Sequence, residues 1–161
     1  MLRATLRALG ERSRGLRAEA REHERAILAL VRAWRPDLLT RFGVGPIVAA
    51  TVLCAWSHPG RIRSAAAFAM LAGTAPVPAS SGQTVRYRLN RFGDRRLNQA
   101  LHVVVVHRLR LDPTTQAHAA RRTAEGKTPK EIRRCLAHYV ARQLFRQLEG
   151  PERIHAALDR R

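Results

Sequence analysis

Apolar residues recur every three or four positions along the first 34 residues of the chain. The repeat gives one heptad position Leu2, Leu9, Leu16, His23 and Leu30, and the other Leu6, Ser13, Ala20, Ile27 and Trp34. A period of 3.5 residues is the coiled-coil value, and charged residues fill the positions between. Residues 1–35 are therefore predicted to form a long coiled-coil-like helix that pairs with a partner strand, from a second copy or from another part of a longer protein. The alternative is an ordinary amphipathic helix docked on its own domain.

The pattern after Pro36 predicts a compact helical domain over residues 36–150, followed by a basic tail at 151–161. Apolar stretches end at Trp56 and at Gly73, and a continuous valine block at 103–106 predicts a buried helix from about Asp94 to Arg110. Further helices are expected from Asp112 to near Gly126 and after Thr128, where Pro129 and Glu131 complete a capping-box pattern. The buried stripe predicted for the last helix comprises Ile132, Leu136, Tyr139, Val140, Leu144 and Leu148. The predicted fold class is mostly α, with one short extended basic segment at Thr84–Asn90.

The tetrapeptide Gly43-Val44-Gly45-Pro46 interrupts two apolar stretches. A short helix, a Gly-x-Gly turn and a second helix are the layout of a helix-hairpin-helix element, whose free N–H groups can bind a DNA backbone without reading bases. Gly43 and Gly45 are therefore candidate nucleic-acid-binding residues. A plain turn between two core helices is the alternative.

The segment from Leu71 to Leu97 carries the clearest chemical signal. It sets the turn Ser80-Ser81-Gly82 before five arginines within eleven residues, namely Arg86, Arg88, Arg91, Arg95 and Arg96. Guanidinium groups match phosphate oxygens in a bidentate manner, and a hydroxyl held in a loop can attack phosphorus. From the residues alone, a serine-glycine turn is more often structural than nucleophilic.

The net charge of +18 indicates a polyanionic partner. Of the 30 basic residues only Lys127 and Lys130 are lysines, so 28 are arginines. No apolar run is long enough to span a membrane, and the N-terminus lacks the pattern of a signal peptide, so a cytoplasmic location without membrane contact is expected. The twelve acidic residues do not converge on a metal site, and no cofactor is predicted within this chain.

Three motifs, in this order, resemble the C-terminal transposase domain of the insertion sequence 110/116/902 family of bridge-RNA-guided, RuvC-like recombinases. They are the Gly-Val-Gly-Pro turn at 43–46, the motif Gly-Thr-Ala-Pro followed by four residues and Ser81-Gly82, and the basic segment that ends at Gly93-Asp94-Arg95-Arg96-Leu97. The helical end of the chain, with Lys127 and the apolar stripe, is also similar.

The resemblance implies a role in DNA transposition and recombination. It makes Ser81 the nucleophile that joins to a DNA strand end, with Ser80 as the second choice, and it implies DNA and guide RNA as partners. The N-terminal helix is similar to one arm of the family's coiled coil, which implies assembly with a second copy or a full-length transposase.

The acidic residues of the family's RuvC-like domain are not present in these 161 residues. Mg2+ is therefore expected only with a RuvC-like partner domain, and the chain is expected to be a truncated or split recombinase that is inactive alone. The alternative function is a non-catalytic module that binds DNA or RNA backbones.

Overall fold

The fold is mostly α-helical, as the sequence pattern predicts. A computed structural model describes residues 1–78, 87–88, 90 and 92–150, with residues 87 and 88 described by their backbone. The helices are α1 (Leu2–Trp34), a 3-10 helix (Pro36–Thr40), α2 (Pro46–Trp56), α3 (Ala65–Leu71), α4 (Arg95–Leu111), α5 (Pro113–Ala124) and α6 (Pro129–Leu148). Two short strands, β1 (Val77–Pro78) and β2 (Tyr87–Arg88), pair in antiparallel register. The prolines between Gly73 and Gly82 predict a loop there, but Pro78 is part of a strand.

Side-chain caps explain where the later helices begin. The Asp94 carboxylate accepts hydrogen bonds from the N–H groups of Arg96 and Leu97 at 2.8 and 3.0 Å. Asp112 caps α5 through Thr115, and Thr128 and Glu131 form the predicted capping box of α6. Each cap satisfies backbone donors that have no partner inside the helix, which is worth about 1 kcal/mol. These boundaries follow directly from local sequence.

The core lies where α2, α3, α4 and α6 meet. Its largest fully buried side chains include Trp56, Phe68, Leu101 and Leu144. Phe68 of α3 contacts Phe145 of α6 with ring centroids 5.6 Å apart. Burial of such a side chain is worth roughly 1.5–3 kcal/mol, so these contacts fix the packing of the four helices.

Two details of the predicted core are wrong. Tyr139 is 59% exposed, because the buried face of α6 passes through Val140 and Ala141 instead. In α4, Val104 and Val105 are buried but Val103 and Val106 are only partly buried. A helix turns through about 100° per residue, so four consecutive valines cannot all face the same neighbours.

Helix α1 contacts the rest of the domain only near its C-terminal end. Val31 is its single buried residue, and Ile27, one turn earlier, is partly buried against the core. Leu30, which the heptad pattern puts on the seam, is 71% exposed. The 33 residues of this helix span about 50 Å. The long helix is therefore confirmed, and most of its leucine seam faces away from the domain; pairing with another chain stays a prediction.

A buried ion pair joins the end of α1 to the end of α6. The Arg35 guanidinium donates to both carboxylate oxygens of Asp37, at 2.9 and 3.0 Å. It also donates to the carbonyl oxygens of Gln147 and Leu148, at 2.7 and 3.0 Å. Arg35 and Asp37 are 5% and 7% exposed. These bonds satisfy carbonyl groups that have no partner inside α6.

The neighbouring side chains extend this network. The Gln147 amide donates to the carbonyl and a carboxylate oxygen of Asp37, both at 2.7 Å, and Trp56 Nε1 donates to Glu149 at 2.7 Å. The Arg35 guanidinium carbon also lies 5.8 Å from the centroid of the Trp56 ring. Burial lowers the pKa of Arg35, and the nearby Glu149 carboxylate opposes that shift, so the guanidinium stays charged.

The division into residues 1–35, 36–150 and 151–161 stays a prediction, and the tail at 151–161 lies outside the described residues. Among the helices of the described part, none is long and apolar enough to cross a bilayer.

Candidate nucleic-acid interface

Two glycines hold together the ends of the segment that carries the serines. Gly73 has φ +65°, the left-handed value that favours glycine, directly after α3. A Cβ added to Gly93 would lie 2.5 Å from the Cα of Gly73 and 2.9 Å from the carbonyl carbon of Ala72. No side chain fits at Gly93, and Gly73 needs glycine because of its left-handed φ. We call this contact the glycine clasp.

Hydrogen bonds reinforce the glycine clasp on both sides. The Asp94 N–H donates to the Leu71 carbonyl at 2.6 Å, and the Asn98 side-chain amide donates to the Ala72 carbonyl at 2.8 Å. The Asn90 amide donates to the Met70 carbonyl at 3.0 Å. The chain therefore leaves the helical core after α3 and returns to it before α4 at fixed, adjacent points.

Four of the predicted site residues lie outside the described residues, namely Ser80, Ser81, Arg86 and Arg91. Arg88 is described only by its backbone, in β2 opposite Val77 of β1. Strand β1 precedes the serines and β2 follows them, so their pairing holds together the parts of the segment on either side of the serines. The serine chemistry and these arginine contacts stay predictions.

Arg95 and Arg96 occupy the first turn of α4, directly after the glycine clasp, and both are exposed. They line a groove of about 450 Å³ between α2 and α4. Its other lining residues are mainly apolar or uncharged: Ile47, Val48, Thr51, Gln99, Ala100 and Val103. Cations at the edge of an apolar groove can bind phosphates while the groove accepts an apolar part of the ligand.

The Gly43-Val44-Gly45-Pro46 turn lies beside the same groove. A second groove, of about 540 Å³, is lined by this turn and shares Ile47, Val48 and Val103 with the first. The fold thus brings together two motifs about fifty residues apart in the sequence. We call the surface formed by these two grooves the α2–α4 face.

The two glycines of this turn have different structural roles. Gly43 has φ +81°, and a Cβ there would lie 3.2 Å from the Val104 carbonyl oxygen of α4. Gly45 has φ −91°, and a Cβ there would meet no atom within 4 Å. Gly43 is therefore needed for packing of the turn on α4, whereas Gly45 leaves the surface open for close approach of a ligand backbone.

The helix-hairpin-helix prediction is not confirmed. The element before the turn is a five-residue 3-10 helix, and only the element after it is an α-helix. Arg108 of α4 fixes the turn by donating to the Phe42 carbonyl at 3.0 Å, and it also donates to the Gln143 side chain at 3.0 Å. Burial is the main cause that lowers the pKa of Arg108; Asp112 opposes this shift, and Arg41 adds to it.

Sequence reasoning missed the supporting residues of this interface. Asn98, Arg108 and the contact between Gly73 and Gly93 act on parts of the chain that are distant in sequence. Gly73 and the Gly93-Asp94 pair gave a signal as parts of the motifs, but their contact did not. The described residues contain no group of three or more His, Cys, Asp or Glu side chains that could bind a metal ion.

Comparisons with known proteins identify a family for this chain. The sequence pattern of the transposase IS116/IS110/IS902 family matches residues 36–120, from the 3-10 helix to most of α5. The chain belongs to this transposase family. The family match therefore covers the glycine clasp, the serine-bearing segment and the α2–α4 face.

A curated relative is the insertion element IS110 uncharacterized 43.6 kDa protein of Streptomyces coelicolor. It is 31% identical over 150 residues, which are 91% of this chain but 35% of the relative. The chain thus spans about a third of the length of this IS110 protein, and the alignment extends beyond the 36–120 family region.

We expect Gly93→Ala to destabilise this transposase domain. The added methyl group overlaps the Gly73 backbone, and overpacking of this kind costs about 1–3 kcal/mol. The measurement is the free energy of unfolding in urea, followed by circular dichroism. Gly45→Ala is the matched control, since its methyl group meets open space and should change stability by less than about 0.5 kcal/mol. Equal free energies of unfolding for the two variants would contradict the claim that the Gly73 backbone leaves no space for a side chain at Gly93.

Proposed function

We propose that this chain is the DNA-binding, serine-bearing domain of a transposase or recombinase of the IS110 type. The observation that carries the proposal is the position of Arg95 and Arg96 directly after the glycine clasp. The clasp fixes the base of the serine-bearing segment, so cations at this point can hold a DNA phosphate close to the serine. The net charge of +18 supports a polyanionic substrate.

In this proposal Ser81 is the nucleophile, and Ser80 is the second choice. The serine Oγ attacks a DNA phosphorus, a phosphodiester bond to the serine forms, and the displaced strand leaves as a hydroxyl. The proton of the serine goes to a general base. Arg86, Arg88 and Arg91 follow the serines in sequence and would neutralise the developing charge on the phosphate oxygens.

The chemistry also needs residues from outside this chain. A RuvC-like partner domain would supply the carboxylates for Mg2+, because the acidic side chains of the described residues do not cluster into a metal site. The chain spans about a third of the length of its IS110 relative. This supports the proposal that the active-site residues are divided between this domain and a RuvC-like domain. Guide RNA is a further proposed partner, through contacts shared with the partner domain.

The alternative is a module that binds DNA or RNA backbones without chemistry. The same exposed arginines support it. It differs from the main proposal in one respect, since a binding module has no need of Ser80 or Ser81.

DNA binding is tested by Arg95→Ala combined with Arg96→Ala. Each phosphate contact contributes about 0.9 to the slope of log affinity against log salt, so loss of two should reduce the slope by about 2 and the affinity by about tenfold. The measurement is fluorescence anisotropy of a labelled duplex at several salt concentrations.

The matched control is Arg3→Ala with Arg7→Ala, at the exposed start of α1. These substitutions remove the same charge far from the α2–α4 face. If the control loses as much affinity as the Arg95/Arg96 variant, binding does not depend on that face.

The serine role is tested by trapping a covalent adduct. The chain is mixed with a RuvC-like partner domain of the family, Mg2+ and nicked DNA of the element end, and protein-DNA adducts are resolved by denaturing electrophoresis. We expect an adduct that Ser81→Ala abolishes and Ser80→Ala leaves. An adduct that survives both substitutions would contradict the nucleophile, and normal DNA binding without any adduct would favour the binding module.

We also propose that α1 assembles the protein with a second copy or with a full-length transposase. Its seam leucines Leu2, Leu6, Leu9 and Leu16 are 56–74% exposed, and an exposed helix of this length gains stability by burying such a stripe. The seam continues to Leu30, beside the short contact with the domain.

Leu9→Lys with Leu16→Lys should disrupt self-association. Burial of each leucine is worth about 1.5–3 kcal/mol, so we expect the dissociation constant to rise by about 100-fold or more. The measurement is sedimentation equilibrium. Ala4→Lys with Ala18→Lys adds the same charge at exposed positions off the seam and should leave assembly unchanged. A wild-type chain that stays monomeric would contradict self-association.

A further inference from the structure

A deep cleft among the described residues lies on a different face of α4 from the α2–α4 face. Its volume is about 930 Å³. Residues 73–76, at the start of the serine-bearing segment, line one wall, and the first turns of α6 line the other. Asn98 and His102 of α4 lie between them. The cleft is therefore adjacent to the point from which the serine-bearing segment leaves the core.

The cleft is strongly basic. Its cations are Arg122, Lys127, Lys130, Arg133 and Arg134, and its one carboxylate is Glu131. Glu131 accepts hydrogen bonds from the N–H and hydroxyl of Thr128, both at 2.8 Å. These bonds lower the pKa of Glu131, so it stays ionised but belongs to the helix cap. Arg122 is paired with Glu125.

The other four cations differ from the arginines that stabilise the fold. Arg35 and Arg108 are at least partly buried and donate to carbonyl oxygens. The side chains of Lys127, Lys130, Arg133 and Arg134 are all exposed. None of these four forms an ion pair or a side-chain hydrogen bond within the described residues.

The spacing of these cations brings like charges together. Lys130 and Arg134 are four apart on α6, which places them on the same face of the helix, where like charges repel. A bound polyanion would compensate this repulsion. Both lysines of the chain line this cleft, although the other 28 of its 30 basic residues are arginines. A lysine ammonium group has three donors and binds phosphate as a compact point charge.

His138 provides a polar group in the same wall. Its Nδ1 atom is buried and has no hydrogen-bond partner among the described residues. Burial, followed by the effect of Arg142, lowers the pKa of His138, so the ring is neutral at physiological pH. A neutral imidazole can donate to or accept from a bound ligand without adding charge.

We propose that this cleft is a second backbone-binding site, which takes consecutive phosphodiester groups of a nucleic-acid strand that leaves the serine-bearing segment. It rests on the proposed function, because it assumes that a strand reaches the serines. The first turns of α4 separate the two sites: Arg95 and Arg96 lie on the α2–α4 face, and Asn98 and His102 lie in the cleft. In this proposal the domain contacts nucleic acid on two different faces of α4, which begins directly after the glycine clasp.

The cleft is tested with the triple variant Lys127→Ala, Lys130→Ala, Arg134→Ala. Binding is measured by fluorescence anisotropy on single-stranded DNA, duplex DNA and single-stranded RNA of one sequence, over a range of salt. For a single strand each lost contact reduces the salt slope by about 0.7, so we expect a reduction of about 2 and an affinity loss of about tenfold. The matched control is Arg12→Ala, Arg14→Ala, Arg17→Ala, in the exposed part of α1.

Cys135 supplies a local measurement, because it lines the cleft and is partly buried. We expect a bound oligonucleotide to slow alkylation of Cys135 in the wild-type chain and in the Arg95/Arg96 variant, but not in the triple variant. Cys54, an exposed thiol of α2 that does not line the cleft, is followed by mass spectrometry in the same samples. An unchanged Cys54 rate shows that any protection of Cys135 is local, and circular dichroism of the free triple variant checks that its fold is intact.

The outcomes separate this inference from the proposed function. If the triple variant binds like its control and Cys135 is not protected, the cleft is not a binding site. If the triple variant loses affinity while the Arg95/Arg96 variant does not, the cleft binds nucleic acid and the α2–α4 face does not. Equal losses on DNA and RNA indicate phosphate recognition alone, and a loss on one of them identifies that nucleic acid as the ligand.

Discussion

The buried Arg35 guanidinium is the interaction on which the arrangement of the helices depends. It pairs with Asp37, directly after α1, and donates to the last carbonyl groups of α6. Removing one partner of such a buried pair leaves an uncompensated charge, which typically costs about 3–5 kcal/mol. Through this contact the end of the chain's last helix is fixed against the end of its first. Helix α6 in turn packs on α3 and α4, which carry the two sides of the glycine clasp.

The glycine clasp connects the ends of the serine-bearing segment to this packed core. Gly73 ends α3 and Gly93 precedes α4, and the contact between them leaves no room for a side chain. The two ends of the serine-bearing segment are therefore fixed on the helical core. A catalytic group on a loop needs such support, because a displacement of about 1 Å can reduce catalysis about 100-fold. Cationic groups lie on two surfaces next to the clasp, the α2–α4 face and the cleft lined by residues 73–76 and the first turns of α6.

Local patterns predicted most of the helices correctly. The caps at Asp94, Asp112 and Thr128 mark the starts of α4, α5 and α6, because capping depends on residues only two or three positions apart. The exposed position of Tyr139 could not be predicted in this way, since an apolar stripe does not state which neighbours a helix meets. The same applies to Val103 and Val106, because their apolar character does not show whether their side chains face the core.

The sequence by itself determined the helical fold class, the long first helix, the basic character of the protein and, through the order of its motifs, its transposase family. These properties depend on composition and short spacings. Only the tertiary structure decided that Gly43 packs on α4, that Gly73 meets Gly93, and that Arg95 lines a groove with Ile47 and Thr51 of α2. It also brought both lysines into one cleft with residues 73–76. Such contacts join residues that are tens of positions apart, and they follow from how the helices pack and not from any local pattern.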